Sequence, residues 1–260
     1  MNTSRAARPC DITELAPWFH NLHLPDGRQT APHHELGDFP AVKWNRVGQV
    51  VPQDLGGSTV LDIGCNAGFY SFELARRGAR VTGIDIDDHY LAQARWAAKH
   101  FGLEDRVQFR SGQVYELAHC ADRYDLVWFT GVFYHLRYPV LALDIVRALT
   151  GRMMMFQSLT MPGSEVAATP ADISLDEREL MLAPTWPKMA FIERSLAGDP
   201  TNWWAPNHAC VEALLRSAGF DVLARPEHEF YLCSPVQRPY EAEYDMVWRR
   251  GSAAQRPERD

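Results

Sequence analysis

The densest chemistry in the chain lies in Asp62-Ile63-Gly64-Cys65-Asn66-Ala67-Gly68. Gly64 allows a tight turn and a close backbone approach, and Gly68 lets a helix start near the strand before it. Asp85 stands twenty-three residues beyond Asp62. A carboxylate at the end of the next strand accepts both hydroxyls of a ribose. Glycine turn and acid together point to a nucleotide-containing ligand. The turn alone equally describes a strand–helix junction beside a solvated acid. A second cluster, Thr130-Gly131-Val132-Phe133-Tyr134-His135, closes a later apolar run. His135 titrates near neutrality and suits proton transfer; it equally suits a cap at the start of the following helix. Tyr134 reads as an orienting hydroxyl or as a core aromatic. Arg137 reads as a grip for an anion or as a surface residue.

These groups need a scaffold, and the pattern around them supplies one. Ser58–Gly64, Arg80–Asp85, Val107–Arg110, Tyr124–Thr130 and Met153–Ser158 are short apolar runs that read as strands. Phe69–Gly78, His89–Gly102 and Pro139–Leu149 carry apolar residues at helical spacing, with Leu91, Ala94, Ala98 and Phe101 on one face. Strands alternating with helices imply an α/β fold, a doubly wound parallel sheet covered on both faces. Ligands bind such sheets beyond the carboxyl ends of the strands, where both clusters fall. Asn207–Gly219 predicts a further helix with Ala209, Leu214, Leu215 and Ala218 buried. Phe220–Ala224 predicts a sixth strand. Tyr244–Trp248 and Glu229–Cys233 compete for the seventh.

A dinucleotide site of the G-x-G-x-x-G type puts a helix start against a pyrophosphate. Here the middle glycine is Asn66 and the third falls on Phe69, which weighs against a nicotinamide-dependent oxidoreductase. Asp62 repels a pyrophosphate and suits a ligand bearing an ammonium group. S-adenosylmethionine meets that description better than NAD. In order and spacing, VLDIGCNAGFYS, GIDID, SGQVYEL and YDLVWFTGVFYHL resemble the successive motifs of class I S-adenosylmethionine-dependent methyltransferases, over roughly residues 40–160. The resemblance implies a Rossmann-like seven-stranded sheet. It also implies that Asp62, Gly64 and Asn66 hold the methionine part, with Cys65 and Gly68 in the same loop. Asp85 then binds the ribose, Ile86 lies against the adenine, Gln113 and Val114 edge it, and Thr130 and Gly131 stand beside the sulfonium. Methyl transfer from a sulfonium needs alignment more than activation, so Cys65 is read as a small loop residue, not a nucleophile.

VKWNRV (42–47) and GVFYHLRYP (131–139) are similar to the bacterial group that carboxymethylates the wobble uridine of tRNA with carboxy-S-adenosylmethionine. That resemblance implies that Lys43 and Tyr134 help hold the extra carboxylate. The group's upstream lysine segment is replaced here by His20-Asn21-Leu22-His23-Leu24-Pro25, and its late arginine has no match among Glu243, Tyr244 and Asp245. Fewer cations bind a carboxylate less well. The expectation is therefore ordinary S-adenosylmethionine and a methyl acceptor, with Tyr134 and His135 on the acceptor side and carboxymethyl transfer to tRNA as the alternative.

The chain has 260 residues, 46% of them hydrophobic, enough to bury a full core without disulfide or metal staples. Five scattered cysteines without a CxxC pair fit a reducing cytoplasm. No run reaches the roughly 20 apolar residues of a membrane span, so no membrane partner is expected. His20, His23, His33 and His34 have neither a cysteine nor an HExxH pattern among them, and no metal is expected. The net charge of −7, with seven acids against three bases in 160–205, disfavours tRNA and favours a small-molecule acceptor. The expected layout is an N-terminal extension (1–57), a methyltransferase domain (58–250) with a lid-like insert (160–205) after the fifth strand, and a flexible tail (251–260). Five of the eight tryptophans, Trp18, Trp44, Trp186, Trp203 and Trp204, lie in the extension and insert. Their placement predicts that these segments wall the acceptor pocket.

Overall fold

The computed structural model describes residues 11–238. In chain order these form α1 (Phe39–Val47), β1 (Thr59–Ile63), α2 (Phe69–Arg76), β2 (Arg80–Asp85), α3 (Asp88–Phe101), β3 (Val107–Ser111), β4 (Tyr124–Thr130), α4 (Pro139–Leu149), β5 (Thr150–Gln157), β6 (Met189–Phe191), β7 (Trp204–Pro206), α5 (His208–Ser217), β8 (Phe220–Glu227) and β9 (Phe230–Pro235). Seven strands make one sheet in the order β3-β2-β1-β4-β5-β9-β8, and β6 pairs with β7 separately. The strands read from 58–159 pair in parallel, as expected, and the sheet is completed by β9, which runs antiparallel to β5 and to β8. The reason is local. Only His228 and Glu229 connect β8 to β9, and so short a link joins antiparallel strands. Of the two segments competing for the seventh strand, Glu229–Cys233 supplies β9. Tyr244–Trp248 and the tail 251–260 lie outside the described residues. No helix among the described residues is long and apolar enough to cross a membrane.

The described residues cluster into two compact units. One joins residues up to 58 with Cys65–Gly112; the other joins Thr59–Gly64 with residues from Gln113 on. In the first, β2 and β3 pair in parallel, from Val81 opposite Val107 to Asp85 opposite Ser111. Helix α3 begins where the Asp87 carboxylate accepts the His89 N–H at 2.8 Å and ends at Gly102, whose φ of +64° closes the last turn. Leu91, Ala94 and Ala98 are buried along it as expected, whereas Phe101 is half-buried. The described part of the extension is held in place by packing and hydrogen bonds. It contains α1, and the buried Gln93 amide donates to Leu15 O at 2.6 Å and Pro17 O at 2.8 Å. Trp18 packs edge-on against Trp96 with centroids 5.6 Å apart, and the Arg77 guanidinium lies 4.4 Å over Trp44. Both tryptophans are buried within this unit, and Trp44 also lines a cavity with Leu22, Phe69 and Phe72.

In the second unit β1, β4 and β5 run parallel, with Ile63 opposite Phe129 and Phe129 opposite Phe156. Trp128, Phe129 and Phe156 are almost wholly buried, which explains the near-continuous apolar run of β4. Strand β5 starts three residues earlier than the sequence suggested, because α4 passes straight into it at Thr150. Leu214 of α5 is half-buried, while Ala209, Leu215 and Ala218 are buried as expected. The insert carries a 3-10 helix, Leu175–Leu182, opened by a reciprocal Ser174–Glu177 cap. Strand order reverses between β1 and β4, so the ligand crevice of this topology opens beyond Ile63 and Thr130.

Candidate active site

The second unit brings Asp62 and Gly64 of the first cluster together with the second cluster. Asp62, 2% exposed, stands opposite Trp128 in the β1–β4 register. Gly64 has φ +73°, and a Cβ there would lie 2.2 Å from Val132 Cγ2. The glycine is therefore required by the chain's own Val132 and by its backbone conformation. Beyond β4, the Gly131 N–H donates to Gln157 Oε1 at 2.8 Å, and Gln157 Nε2 donates to Glu229 Oε2 at 3.2 Å. Glu229 Oε1 accepts both the backbone N–H (2.7 Å) and the hydroxyl (3.0 Å) of Thr160. Glu229 adopts φ +70°, a strained conformation for a long side chain. Thr130 is buried at the end of β4.

Tyr134 and His135 follow in a 3-10 turn, with ring centroids 4.3 Å apart. The insert grips this turn. Trp203 N–H donates to Tyr134 O at 2.9 Å, and Trp204 Nε1 donates to Leu136 O at 3.1 Å. Arg137 lies 4.7 Å from the Trp203 ring centre and 5.2 Å from that of Phe191, so its cation rests against two aromatic rings of the insert. His135 Nδ1 sits 2.9 Å from Thr201 Oγ1 and 3.8 Å from Asp199 Oδ2. Burial pushes the His135 imidazole below its ordinary range, and Asp199 pulls it partly back. The Tyr134 phenol is pushed up to about 12, first by burial and then by the charges of Glu229 and Asp199. Asp199, Thr201, Gln157 and Glu229 were not singled out from sequence. Three of them are polar residues of the insert or the β8–β9 link, where nothing local distinguishes them from solvated surface.

In the first unit, Cys65 N–H donates to Ile84 O at 3.0 Å and Asn66 N–H to Asp85 Oδ2 at 2.8 Å. Asp85 Oδ1 accepts Asp87 N–H at 3.0 Å. Burial raises the Asp85 carboxyl above its usual range, and these backbone donors oppose the rise. Asn66 has φ +50° and its Oδ1 accepts Ala67 N–H at 2.7 Å. The position needs a left-handed backbone, which asparagine tolerates as glycine does. Cys65 is buried, consistent with a small loop residue, and Gly68 (φ +88°) starts α2.

The remaining expected residues have plainer settings. Ile86 is 75% exposed. Gln113 N–H donates to Glu116 Oε2 at 3.1 Å at the start of a 3-10 helix, and Val114 behind it is buried. Lys43 Nζ lies 5.6 Å from the centre of the Phe39 ring. The histidines do separate work: His20 is buried among Phe19, Phe39, Phe69 and Tyr70, His23 pairs with Asp38 at 2.6 Å, and His34 Nδ1 accepts Leu36 N–H.

A family model described as a methyltransferase domain matches residues 55–212, from just before β1 to the middle of α5. The chain belongs to the methyltransferase-domain family. Among curated relatives, a tRNA U34 carboxymethyltransferase of Pseudoalteromonas translucida is 30% identical over 181 residues, 68% of this chain and 49% of the relative. One of Colwellia psychrerythraea is 31% identical over 194 residues, 70% of this chain and 56% of the relative. The chain thus spans about half the length of these relatives. In structure it is similar to the N-terminal domain of EvdMO1 with SAH bound, at a TM-score of 0.60 and 20% identity, covering 87% of this chain and 94% of that one. That likeness establishes the Rossmann-like, class I methyltransferase fold.

Proposed function

We propose that this methyltransferase transfers a methyl group from S-adenosylmethionine to an oxygen or nitrogen of a small-molecule acceptor. When bound, that donor supplies a methyl group on a sulfonium, whose bond electrons return to sulfur on transfer. The residues fit it. Each Asp85 oxygen accepts one backbone N–H and keeps lone pairs for ribose hydroxyls. The buried carboxylate of Asp62 suits an ammonium group. Gly64, Cys65, Asn66, Gly68, Ile86, Gln113, Val114 and Thr130 complete the proposed donor set, with Tyr134 and His135 on the acceptor side.

One observation carries the choice of donor. The charges acting on Tyr134 are both negative, Glu229 and Asp199. A donor with an additional carboxylate meets repulsion there, whereas a sulfonium is attracted. The insert supports a small acceptor for the same reason, since Glu165, Asp172, Asp176, Glu177 and Glu179 are all exposed. It also anchors Trp203 and Trp204 to the turn of Tyr134 and Leu136, which supports a flat, aromatic-facing acceptor.

Carboxymethyl transfer to a tRNA wobble uridine is a second reading. The names of the curated relatives favour it, together with Lys43 and Tyr134. Titration calorimetry with S-adenosylmethionine, S-adenosylhomocysteine and carboxy-S-adenosylmethionine separates the two. The first reading expects the uncarboxylated donor to bind more tightly. Tighter binding of the carboxylated donor, lost in Lys43→Ala, would select the second. Absence of binding by all three at sub-millimolar concentration would overturn both.

A further inference from the structure

Asp199, Thr201 and His135 form a hydrogen-bonded line whose direction follows from counting protons. Thr201 Oγ1 lies 2.6 Å from Asp199 Oδ1, and Thr201 N–H donates to the same oxygen at 2.7 Å. The Asp199 carboxyl is held below its ordinary range, so it is ionised at neutral pH and only accepts. The hydroxyl has a single proton, and a charge-assisted contact with a carboxylate takes it. Thr201 Oγ1 is then left with lone pairs toward His135 Nδ1, 2.9 Å away. A contact of that length needs a proton between the two atoms, and it must come from Nδ1. A neutral imidazole with its proton on Nδ1 carries its lone pair on Nε2. Nε2 has no hydrogen-bond partner among the described residues, and about a third of the side chain, 32%, stays open to solvent.

We propose that Asp199 and Thr201, both supplied by the insert, are positioning residues that fix His135 as the Nδ1–H tautomer and so present Nε2 as the proton acceptor of the reaction. The inference rests on the methyltransferase reading above and deepens it. An acceptor hydroxyl gives its proton to Nε2 as its oxygen takes the methyl group; a protonated amine gives its proton to Nε2 first, which frees the lone pair that forms the new bond. His135 becomes an imidazolium with both nitrogens protonated, Nδ1 still bonded to Thr201 and Asp199 compensating the charge. The proton then leaves Nε2 to solvent. Alignment is preserved throughout, because Trp203 N–H holds Tyr134 O while Thr201, two residues earlier in the insert, holds the next side chain. The Tyr134 hydroxyl stays protonated beside two carboxylates and does not compete as a base. The acceptors this arrangement serves are those that must lose a proton, such as phenols, alcohols and protonated amines.

The test needs neither donor nor acceptor. Long-range 15N–1H spectra of the free, histidine-labelled protein, assigned with His135→Gln, report the tautomer above the imidazole pKa. The expected result is a protonated Nδ1 and an unprotonated Nε2. In Thr201→Val the preference moves to Nε2–H, and Thr201→Ser restores the wild-type signature. In Asp199→Asn the His135 titration moves to lower pH, because a carboxylate that raises it is gone. A wild-type spectrum with Nε2–H, or one unchanged in Thr201→Val, would overturn the proposal. The wild-type spectrum decides the matter by itself if Thr201→Val does not fold. Calorimetry with S-adenosylhomocysteine on the same samples reports the donor site separately, so loss of donor binding and loss of the tautomer are distinguishable.

Discussion

Gly64→Ala is the substitution whose cost is best defined by the geometry. A Cβ at that position sits 2.2 Å from Val132 Cγ2, well inside the contact distance of two carbons, and the backbone stays at φ +73°. The left-handed conformation costs a residue with a Cβ about 1–2 kcal/mol. Overpacking against Val132 adds about 1–3 kcal/mol. The sum, about 2–5 kcal/mol, is a large fraction of the stability of an ordinary domain. It corresponds to a fall in Tm of roughly 4–20 °C for a chain of this size. The two contributions separate in a double-mutant cycle. Val132→Ala alone costs about 1 kcal/mol, as a half-buried truncation. Combined with Gly64→Ala it removes the clash and leaves the backbone cost, so the pair is more stable than the sum by about 1–3 kcal/mol. Urea unfolding followed by circular dichroism measures all four proteins. Additive effects would refute the reasoning, since Val132 would then not be what excludes a side chain at residue 64. A cost for Gly64→Ala below about 0.5 kcal/mol would refute both contributions.

Three further outcomes are expected. Asp85→Ala should weaken S-adenosylhomocysteine binding roughly tenfold to 150-fold in calorimetry, the worth of hydrogen bonds to a charged group. His20 is lowered from its ordinary 6.5 to about 3, first by burial and then by Lys43 and His34. Its contribution to stability is therefore complete above pH 6.5 and lost as pH falls toward 3. His20→Phe should flatten the decline below pH 6.5 by up to about 1.4 kcal/mol per pH unit, read from unfolding curves at pH 6.5, 6.0, 5.5 and 5.0; an unchanged slope would show that His20 is not buried as a neutral ring. Gln93→Ala removes two donated bonds to the extension and should cost about 1–3 kcal/mol, with faster proteolysis between residues 11 and 38.

Much of the fold is legible in the sequence because strand and helix periods are local. Arg80–Asp85, Tyr124–Thr130 and Pro139–Leu149 have the limits that pattern alone assigns. The acid-led loop is legible too, since Gly64 and Gly68 report backbone conformation directly. Elements were missed where the signal is not local. Helix α1 lies in a proline- and histidine-rich stretch and is recognisable once Pro40 is seen at its start and Trp44 and Val47 are buried. Trp18 packs on Trp96 while Trp44 lines a cavity beside Phe69 and Phe72, and an aromatic count does not state which surface covers which ring. Strand β9 has the composition of any strand, and its direction depends on the two-residue link before it.

By itself the sequence determined an alternating α/β chain, the turn that must carry Gly64, the acid at the end of β2, and the family these motifs belong to. Those properties are set by residues close together in the chain, through backbone freedom and hydrophobic period. Only the tertiary structure decided which groups act on one another. It brought Asp199 and Thr201 to His135 across more than sixty residues, Glu229 to Gln157 and Thr160 across about seventy, and Val132 onto Gly64. The physical reason is that hydrogen bonds and steric exclusion depend on separations of a few ångströms in space. A distant carboxylate gives no local periodicity, yet it fixes where a proton sits.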